Sequence, residues 1–334
     1  MSTISIIVPI LNEEKYIEKC LESIIENDYS KDKLEVFLVD GGSQDKTVDI
    51  IKKYQEEYPF FKLLNNPNRT APYAMNIGIE ASKGEYIVRL DAHASYPKNY
   101  FLKLIEWHQK LDAQNVGAVV ITKVKNLTKK SGSIKEVLSH KFGVGNSEFR
   151  IGVKEVKEVD TVPFGCYKRE VFEEYGLYDE RLTRNQDIEL NKRIINGGGK
   201  IYLVPDIECT YFAREKFTEL AKNNYNNGFW NILTAYYTKT LNSLSLRHFI
   251  PLLFVLSLVL PLITSIVIPK FIYVTLFSLG SYLLLVIITS FKLKSSANSF
   301  FYLVSSFLVL HLSYGIGSLM GIFSVISRYI KGDR

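Results

Sequence analysis

An open, mostly parallel α/β sheet followed by a C-terminal region of membrane helices is the fold that the sequence predicts. Three observations predict it. Short β-rich runs alternate with longer helical patterns along residues 1–215, which argues for a sheet with helices on both faces. From Phe249 to Ser327 the only Lys, Arg, Asp or Glu residues are Lys270, Lys292 and Lys294. Polar and acidic residues recur just past the strand ends, where sheets of this kind bind ligands.

The elements follow in order. Residues 4–9 read as a buried strand, and 13–26 as a helix with Ile17, Leu21, Ile24 and Ile25 on one face. Residues 34–40 form a second strand and 45–54 a second helix, opened by Ser43 or Asp45 as cap. A short strand at 62–64, a helix at 70–82 and a strand at 86–90 lead to Asp91. Residues 97–110 are helical and 116–122 are again strand. Asn185-Gln186-Asp187 opens a helix whose apolar side holds Leu190, Ile194 and Ile195. A further helix at 216–237 mixes aromatic and polar side chains, which suits a membrane surface or a domain-closing element.

Uncharged runs at 249–269, 271–291 and 295–327 each exceed the roughly 20 residues needed to cross a hydrocarbon core. Gly317 and Gly321 stand in a G-x-x-x-G spacing that favours close helix approach. The expected organisation is a catalytic domain at 1–215, an interfacial helix and linker at 216–248, and about three transmembrane helices at 249–330. With the large domain in the cytoplasm, Lys292 and Lys294 fall on the cytoplasmic side, whereas Arg328, Lys331 and Arg334 fall outside, against the positive-inside rule. The run Met1–Pro9 is too short for a secretory h-region and has no basic residues before it.

Lys and Arg total 41 against 35 Asp and Glu, a formal charge of +6. A balance that mild excludes a dedicated nucleic-acid binder, and 47% hydrophobic content excludes a disordered chain. Cys20, Cys166 and Cys209 form no C-x-x-C pair and suit a reducing compartment. The chain has neither a G-x-x-x-x-G-K-[ST] loop nor a G-x-G-x-x-G turn after its first strand.

The strand-end residues carry the chemistry. They are Asn12, Glu13 and Glu14 after the first strand, Asp40, Gly41, Gly42 and Ser43 after the second, and Asp91, Ala92 and His93 after the fourth. Each set alone also reads as a helix start, a turn or a loop cap. Together they suggest a nucleotide sugar bound with a divalent cation, because carboxylates would repel a diphosphate unless a metal lay between them. Mg²⁺ or Mn²⁺ favours one or two carboxylates plus phosphate oxygens, and Mn²⁺ also accepts imidazole. Asp187 is either a helix cap or a general base toward an acceptor hydroxyl.

These strings together resemble the family 2 glycosyltransferases, which have the GT-A fold with a mixed, mostly parallel sheet. The resemblance covers most of residues 1–215. It rests on Val8-Pro9-Ile10-Leu11-Asn12-Glu13-Glu14, Val39-Asp40-Gly41-Gly42-Ser43, Asp91-Ala92-His93, Pro163-Phe164-Gly165-Cys166, Gly176-Leu177-Tyr178-Asp179-Glu180 and Asn185-Gln186-Asp187. The Asp-Ala-His form and the apolar C-terminal region are most similar to the succinoglycan-biosynthesis glucosyltransferase branch of bacterial polysaccharide enzymes.

The resemblance implies an inverting, metal-dependent hexosyltransferase of the bacterial inner membrane, multi-pass, with a cytoplasmic catalytic domain. It would move one sugar from a nucleotide sugar, a UDP-sugar by expectation, to a lipid-linked glycan. Pro9, Asn12, Glu13, Asp40, Gly41 and Ser43 would line the nucleotide pocket, and Asp91 and His93 would hold Mg²⁺ or Mn²⁺. Asp187 would be the catalytic base. His93 replaces a carboxylate of the family's Asp-x-Asp, and Gln186 replaces the Glu that precedes the base. Asn226-Asn227-Gly228-Phe229-Trp230 lacks the Arg of the processive synthases' Gln-x-x-Arg-Trp, which argues against chain extension. The alternatives are a polyprenyl-phosphate sugar synthase, a sugar-nucleotide pyrophosphorylase, and a membrane-anchored binding protein without catalysis.

Overall fold

The computed structural model describes residues 1–240 and 244–332. Arg334 and residues 241–243 of the expected linker lie outside the described residues. The strands are β1 (Ile4–Ile10), β2 (Leu34–Asp40), β3 (Phe61–Asn65), β4 (Tyr86–Arg89), β5 (Ala94–Ser95), β6 (Asn115–Lys123), β7 (Lys157–Glu158), β8 (Cys166–Lys168) and β9 (Ile201–Phe212). The helices are α1 (Ile17–Ile25), α2 (Thr47–Glu57), α3 (Ala71–Ala81), α4 (Tyr100–Leu111), α5 (Lys129–Leu138), α6 (Lys141–Val144), α7 (Glu148–Ile151), α8 (Glu170–Glu174) and α9 (Gln186–Asn196). Four long helices complete the chain: α10 (Phe217–Thr238), α11 (Ile250–Thr264), α12 (Ile272–Leu293) and α13 (Phe300–Lys331).

Two compact units result, 1–121 with 148–212, and 122–147 with 213–334. The first unit is a mixed sheet in the order β3-β2-β1-β4-β8-β6-β9-β5, with β7 beside β9. One side of the sheet is parallel: β1 lies between β2 and β4, and β3 lies outside β2. The β8, β5 and β7 pairings are antiparallel. Ile4, Ile6, Val8 and Ile10 alternate with Ile7 across β1, so one strand feeds a core on each face of the sheet. That two-sided burial explains why the strand is apolar apart from Ser5, whose hydroxyl donates to Glu35 at 2.7 Å.

In the second unit three helical segments are long and apolar enough to cross a membrane: Leu246–Thr264, Pro269–Leu293 and Phe300–Lys331. Here α10 lies along α13, and glycines set the approach. A Cβ at Gly228 would stand 2.0 Å from the Tyr314 carbonyl oxygen, and one at Gly317 would stand 2.0 Å from that of Tyr225. Gly321 faces Phe229 and Ile232 less tightly. Asn231 donates to the Tyr314 hydroxyl, and Arg328 donates to that of Tyr237. The α5 segment belongs to the same unit: Lys129 donates from Nζ to the Ser296 carbonyl at 2.6 Å, and a Cβ at Gly132 would meet the Ala297 carbonyl oxygen at 2.1 Å.

Candidate active site

Parallel pairing brings the carboxyl ends of β1, β2 and β4 to one edge of the sheet, with Ile10 beside Asp40 and Ile7 beside Arg89. The two loops that follow β1 and β2 are pinned to each other by their own backbone. Asn12 donates its N–H to Ser43 Oγ and accepts from the Gln44 N–H, both at 2.8 Å. The Glu13 N–H goes to Thr47 Oγ1 at 2.8 Å and the Glu14 N–H to Asp45 at 3.2 Å. Asn12 adopts the left-handed backbone conformation (φ 57°), one that Asn tolerates well.

Asp40, buried at 7% exposure, folds back on its own turn. Its carboxylate accepts from the Gly42 N–H at 2.9 Å, from the Ser43 N–H and from Ser43 Oγ at 2.6 Å. Gly41 sits in a close-packed place, since a Cβ there would lie 3.2 Å from Arg69 Cα and 3.4 Å from the Ile10 carbonyl oxygen. Pro9 is half-buried on β1, level with Val39.

Past β4 the chain makes a tight turn through Asp91 and His93. The Tyr96 hydroxyl accepts from the Asp91 N–H at 2.9 Å and donates to the Asp91 carbonyl, and Cys20 Sγ donates to the same oxygen. Burial, aided by Asp91 and Glu13, pushes the Cys20 thiol up to about 12, so it stays protonated and is no nucleophile. His93 is held on two sides. Its Nδ1 lies 3.3 Å from Glu13 Oε1 and its Nε2 lies 4.0 Å from Asp91 Oδ2. Its ring packs against Tyr16 and Tyr211. Burial opposes the imidazolium, but the Glu13 hydrogen bond and the Asp91 charge outweigh it and raise His93 to about 9.

Asp187 lies in the first turn of α9, after Asn185 in the left-handed conformation. Its Oδ1 accepts from the Ile188 N–H at 3.0 Å. Glu189, two residues on, is buried and paired with Arg193 at 2.7 Å. Arg193 also donates to the carbonyls of Tyr175, Gly176 and Leu177, so Glu189 serves to fix the helix.

One residue that the motifs did not single out joins these pieces. Arg89, 14% exposed, places Nη2 3.5 Å from Asp91 Oδ1 and Nη1 3.8 Å from Asp187 Oδ2. Burial works against its charge, yet Asp91 and Asp187 together hold it firmly protonated. Its Nε and Nη1 have no hydrogen-bond partner. The signal for it was a cation in a buried strand, between Val88 and Leu90.

Glu13, Asp91, His93 and Asp187 are thus brought together, and Asn12, Ser43 and Asp40 adjoin them through the shared 12–13 segment. Among the described residues no three His, Cys, Asp or Glu side chains form a ligand cluster. The donor set of Asp91 and His93 fits a divalent cation whose remaining positions are filled by phosphate oxygens and water. Glu13 on Nδ1 leaves Nε2 turned toward Asp91, so a cation bound there would replace the Nε2 proton while Glu13 keeps the Nδ1–H.

Comparison with known proteins places the chain in a family. The family model described as Glycosyl transferase family 2 matches residues 5–176. A dolichyl N-acetyl-alpha-D-glucosaminyl phosphate 3-beta-D-2,3-diacetamido-2,3-dideoxy-beta-D-glucuronosyltransferase of Methanococcus voltae is 35% identical over 68% of this chain and 72% of its own length. Succinoglycan biosynthesis protein ExoA of Rhizobium meliloti is 29% identical over 64% of each chain. Among solved structures, the mannosyltransferase PcManGT of Pyrobaculum calidifontis, in complex with GDP-Man and Mn²⁺, aligns with a TM-score of 0.59 at 18% identity. The alignment covers 94% of this chain and 87% of that one. At that identity the likeness shows the fold alone.

Proposed function

The chain belongs to glycosyl transferase family 2, and from that premise we propose that it moves one sugar from a UDP-sugar to a hydroxyl of a lipid-linked glycan, with inversion at the anomeric carbon. The observation that carries this reading is Arg89 standing between Asp91 and Asp187. It ties a donor-side carboxylate to a carboxylate free to act as base.

Asn12, Glu13, Asp40, Gly41 and Ser43, with Pro9 beneath them, form the pinned edge that receives the nucleoside. Asp91 and His93 would hold Mg²⁺ or Mn²⁺, which when bound would supply charge to offset that of the diphosphate. Asp187 takes the proton from the acceptor hydroxyl as its oxygen bonds to the anomeric carbon. The bond from that carbon to the phosphate oxygen breaks, and its electron pair leaves with the nucleoside diphosphate. Arg89 stands between the two carboxylates and positions Asp187 toward the reaction.

The three long apolar helices support attachment to the cytoplasmic membrane as a multi-pass protein with the catalytic unit facing the cytoplasm. Fixing the catalyst at the bilayer raises the effective concentration of a lipid-borne acceptor. The name of the Methanococcus relative describes transfer to a sugar carried on a dolichyl phosphate. That favours a lipid-linked sugar over bare lipid phosphate as acceptor. The deciding assay incubates the full chain with radiolabelled nucleotide sugars, Mg²⁺ or Mn²⁺, and either lipid-linked sugars or bare polyprenyl phosphate. Label passing to a lipid-linked sugar with the anomeric configuration inverted is the expected result. Absence of transfer from every donor would sink the proposal.

A further inference from the structure

Arg150 is a cation that the mechanism above leaves unused, and it is held in an unusual way. It sits in α7, a single turn whose Phe149 packs against the core of the first unit. Its Nη1 is buried and has no hydrogen-bond partner. Among the described residues no carboxylate lies within ion-pair distance of it. Instead its guanidinium lies over two rings, with Cζ 5.4 Å from the centre of Tyr211 and 5.5 Å from that of Phe149.

Tyr211 is the link to the site. Its backbone pairs with Ala94 in the β5–β9 ladder, one residue after His93, and its ring lies 5.2 Å from the His93 imidazole. The Tyr211 ring therefore contacts both the imidazole and the guanidinium. The buried Cys209 thiol feels the negative charge of Asp91 and the positive charge of Arg150 together, which is consistent with both lying near it.

A buried guanidinium N–H without an acceptor is costly, and more so for a charged donor than for a neutral one. Such a group persists where a ligand completes it. Stacking on two rings fixes the plane of the fork before any ligand arrives, and a planar fork of donors matches a phosphate in geometry as well as charge. Arg89 cannot play this part, because Asp91 and Asp187 already engage it.

We propose that Arg150 is a phosphate-binding residue whose guanidinium donates to a diphosphate oxygen of the nucleotide sugar and holds the leaving group beside the Asp91–His93 turn. This rests on the glycosyltransferase reading. It adds a cation of the chain itself at a turn where imidazole stands in place of a carboxylate.

The test is calorimetry on the purified full chain in detergent with UDP, GDP and dTDP, followed by the same titration on Arg150→Met with whichever binds. Binding of the matching nucleoside, which carries no phosphate, is followed by NMR. Arg150→Met is expected to weaken the nucleoside diphosphate about 10- to 100-fold and to leave nucleoside binding unchanged, with the melting temperature of the ligand-free protein no lower than that of wild type. Arg150→Lys, which keeps charge but not the fork, is expected to lose a smaller factor, and it carries the same test should the Met variant not fold. Unchanged diphosphate affinity in a folded variant, or equal losses for nucleoside and diphosphate, would overturn the assignment while leaving the glycosyltransferase reading intact. If the wild-type chain binds none of the three diphosphates, both fall together.

Discussion

Arg89 Nη1 lies 3.8 Å from Asp187 Oδ2, so a residue at the end of the fourth strand reaches the first turn of a helix almost a hundred positions later. The same guanidinium faces Asp91. Replacing Arg89 with Met leaves two neighbouring carboxylates without their shared cation. The partners are partly exposed, so a cost of about 1–3 kcal/mol is expected, below the usual range for a fully buried pair. Chemical denaturation read by tryptophan fluorescence checks it. Turnover should fall with it, because the guanidinium that positions Asp187 opposite Asp91 is lost.

Asp187→Asn keeps the helix-start geometry and removes the base. A fall in turnover of about 10²–10⁴-fold is expected, with nucleoside diphosphate affinity preserved. A parallel loss of affinity and turnover would show that Asp187 supports the donor site instead.

Glu13→Gln should loosen the hold on His93 without emptying its hydrogen bond, since an amide oxygen still accepts from Nδ1. Outer carboxylates of this kind typically contribute about 10–100-fold to metal affinity. A weakening of Mn²⁺ binding in that range, followed by electron paramagnetic resonance, is the expected outcome. Unaltered Mn²⁺ affinity would separate Glu13 from the metal.

His108 gives the first unit an acid sensitivity remote from catalysis. Its ring is buried between the carbonyls of Ala113 and Cys166, and burial lowers its pKa to about 4, well below the ordinary 6.5. The neutral ring is the folded form. Its contribution to stability is therefore full above pH 6.5 and is lost as pH falls from 6.5 toward about 4, at up to about 1.4 kcal/mol per pH unit. Relative to wild type, His108→Gln should show a stability deficit at pH 7 that shrinks toward pH 4. A deficit constant across that window would refute the assignment.

Glycine substitutions should rank by the room available. Gly317→Ala meets the Tyr225 carbonyl oxygen, Gly321→Ala meets the Phe229 carbonyl oxygen at the longer distance of 2.8 Å, and Gly280→Ala meets nothing within 4 Å. Melting temperature in detergent should fall most for the first, less for the second and hardly at all for the third. Overpacking of this kind costs roughly 1–3 kcal/mol.

Much of this was legible before any coordinates. The second strand, 34–40, matches to the residue because a run of Val, Phe and Leu ends at the Asp40-Gly41-Gly42 turn signal. The first helix was read four residues early. It begins at Ile17 because the amides of Glu13 and Glu14 are engaged by the neighbouring loop, a demand that periodicity cannot reveal. The second helix starts at Thr47 with Lys46 at its cap position, while Ser43 turns back to Asp40 and Asp45 accepts from the Thr47 N–H. The long strand β9 was missed, since Pro205 interrupts it and its burial alternates only in part. Asp91, His93 and Asp187 stood out as polar residues at element ends. Arg89 and Arg150 did not, because a lone arginine in sequence says nothing of which carboxylates or rings it will meet.

The chain passes from one unit to the other three times, near residues 121, 147 and 212, before its final helices. Cutting it after the last strand would therefore not release a self-sufficient soluble half. Residues 122–147 would remain attached with their partners removed: Gly132 would lose the carbonyl it packs on, and Lys129 would lose its acceptor. An amphiphilic flap of that sort invites aggregation, so anyone seeking a detergent-free enzyme should bridge 121 to 148 with a short linker as well as removing the tail.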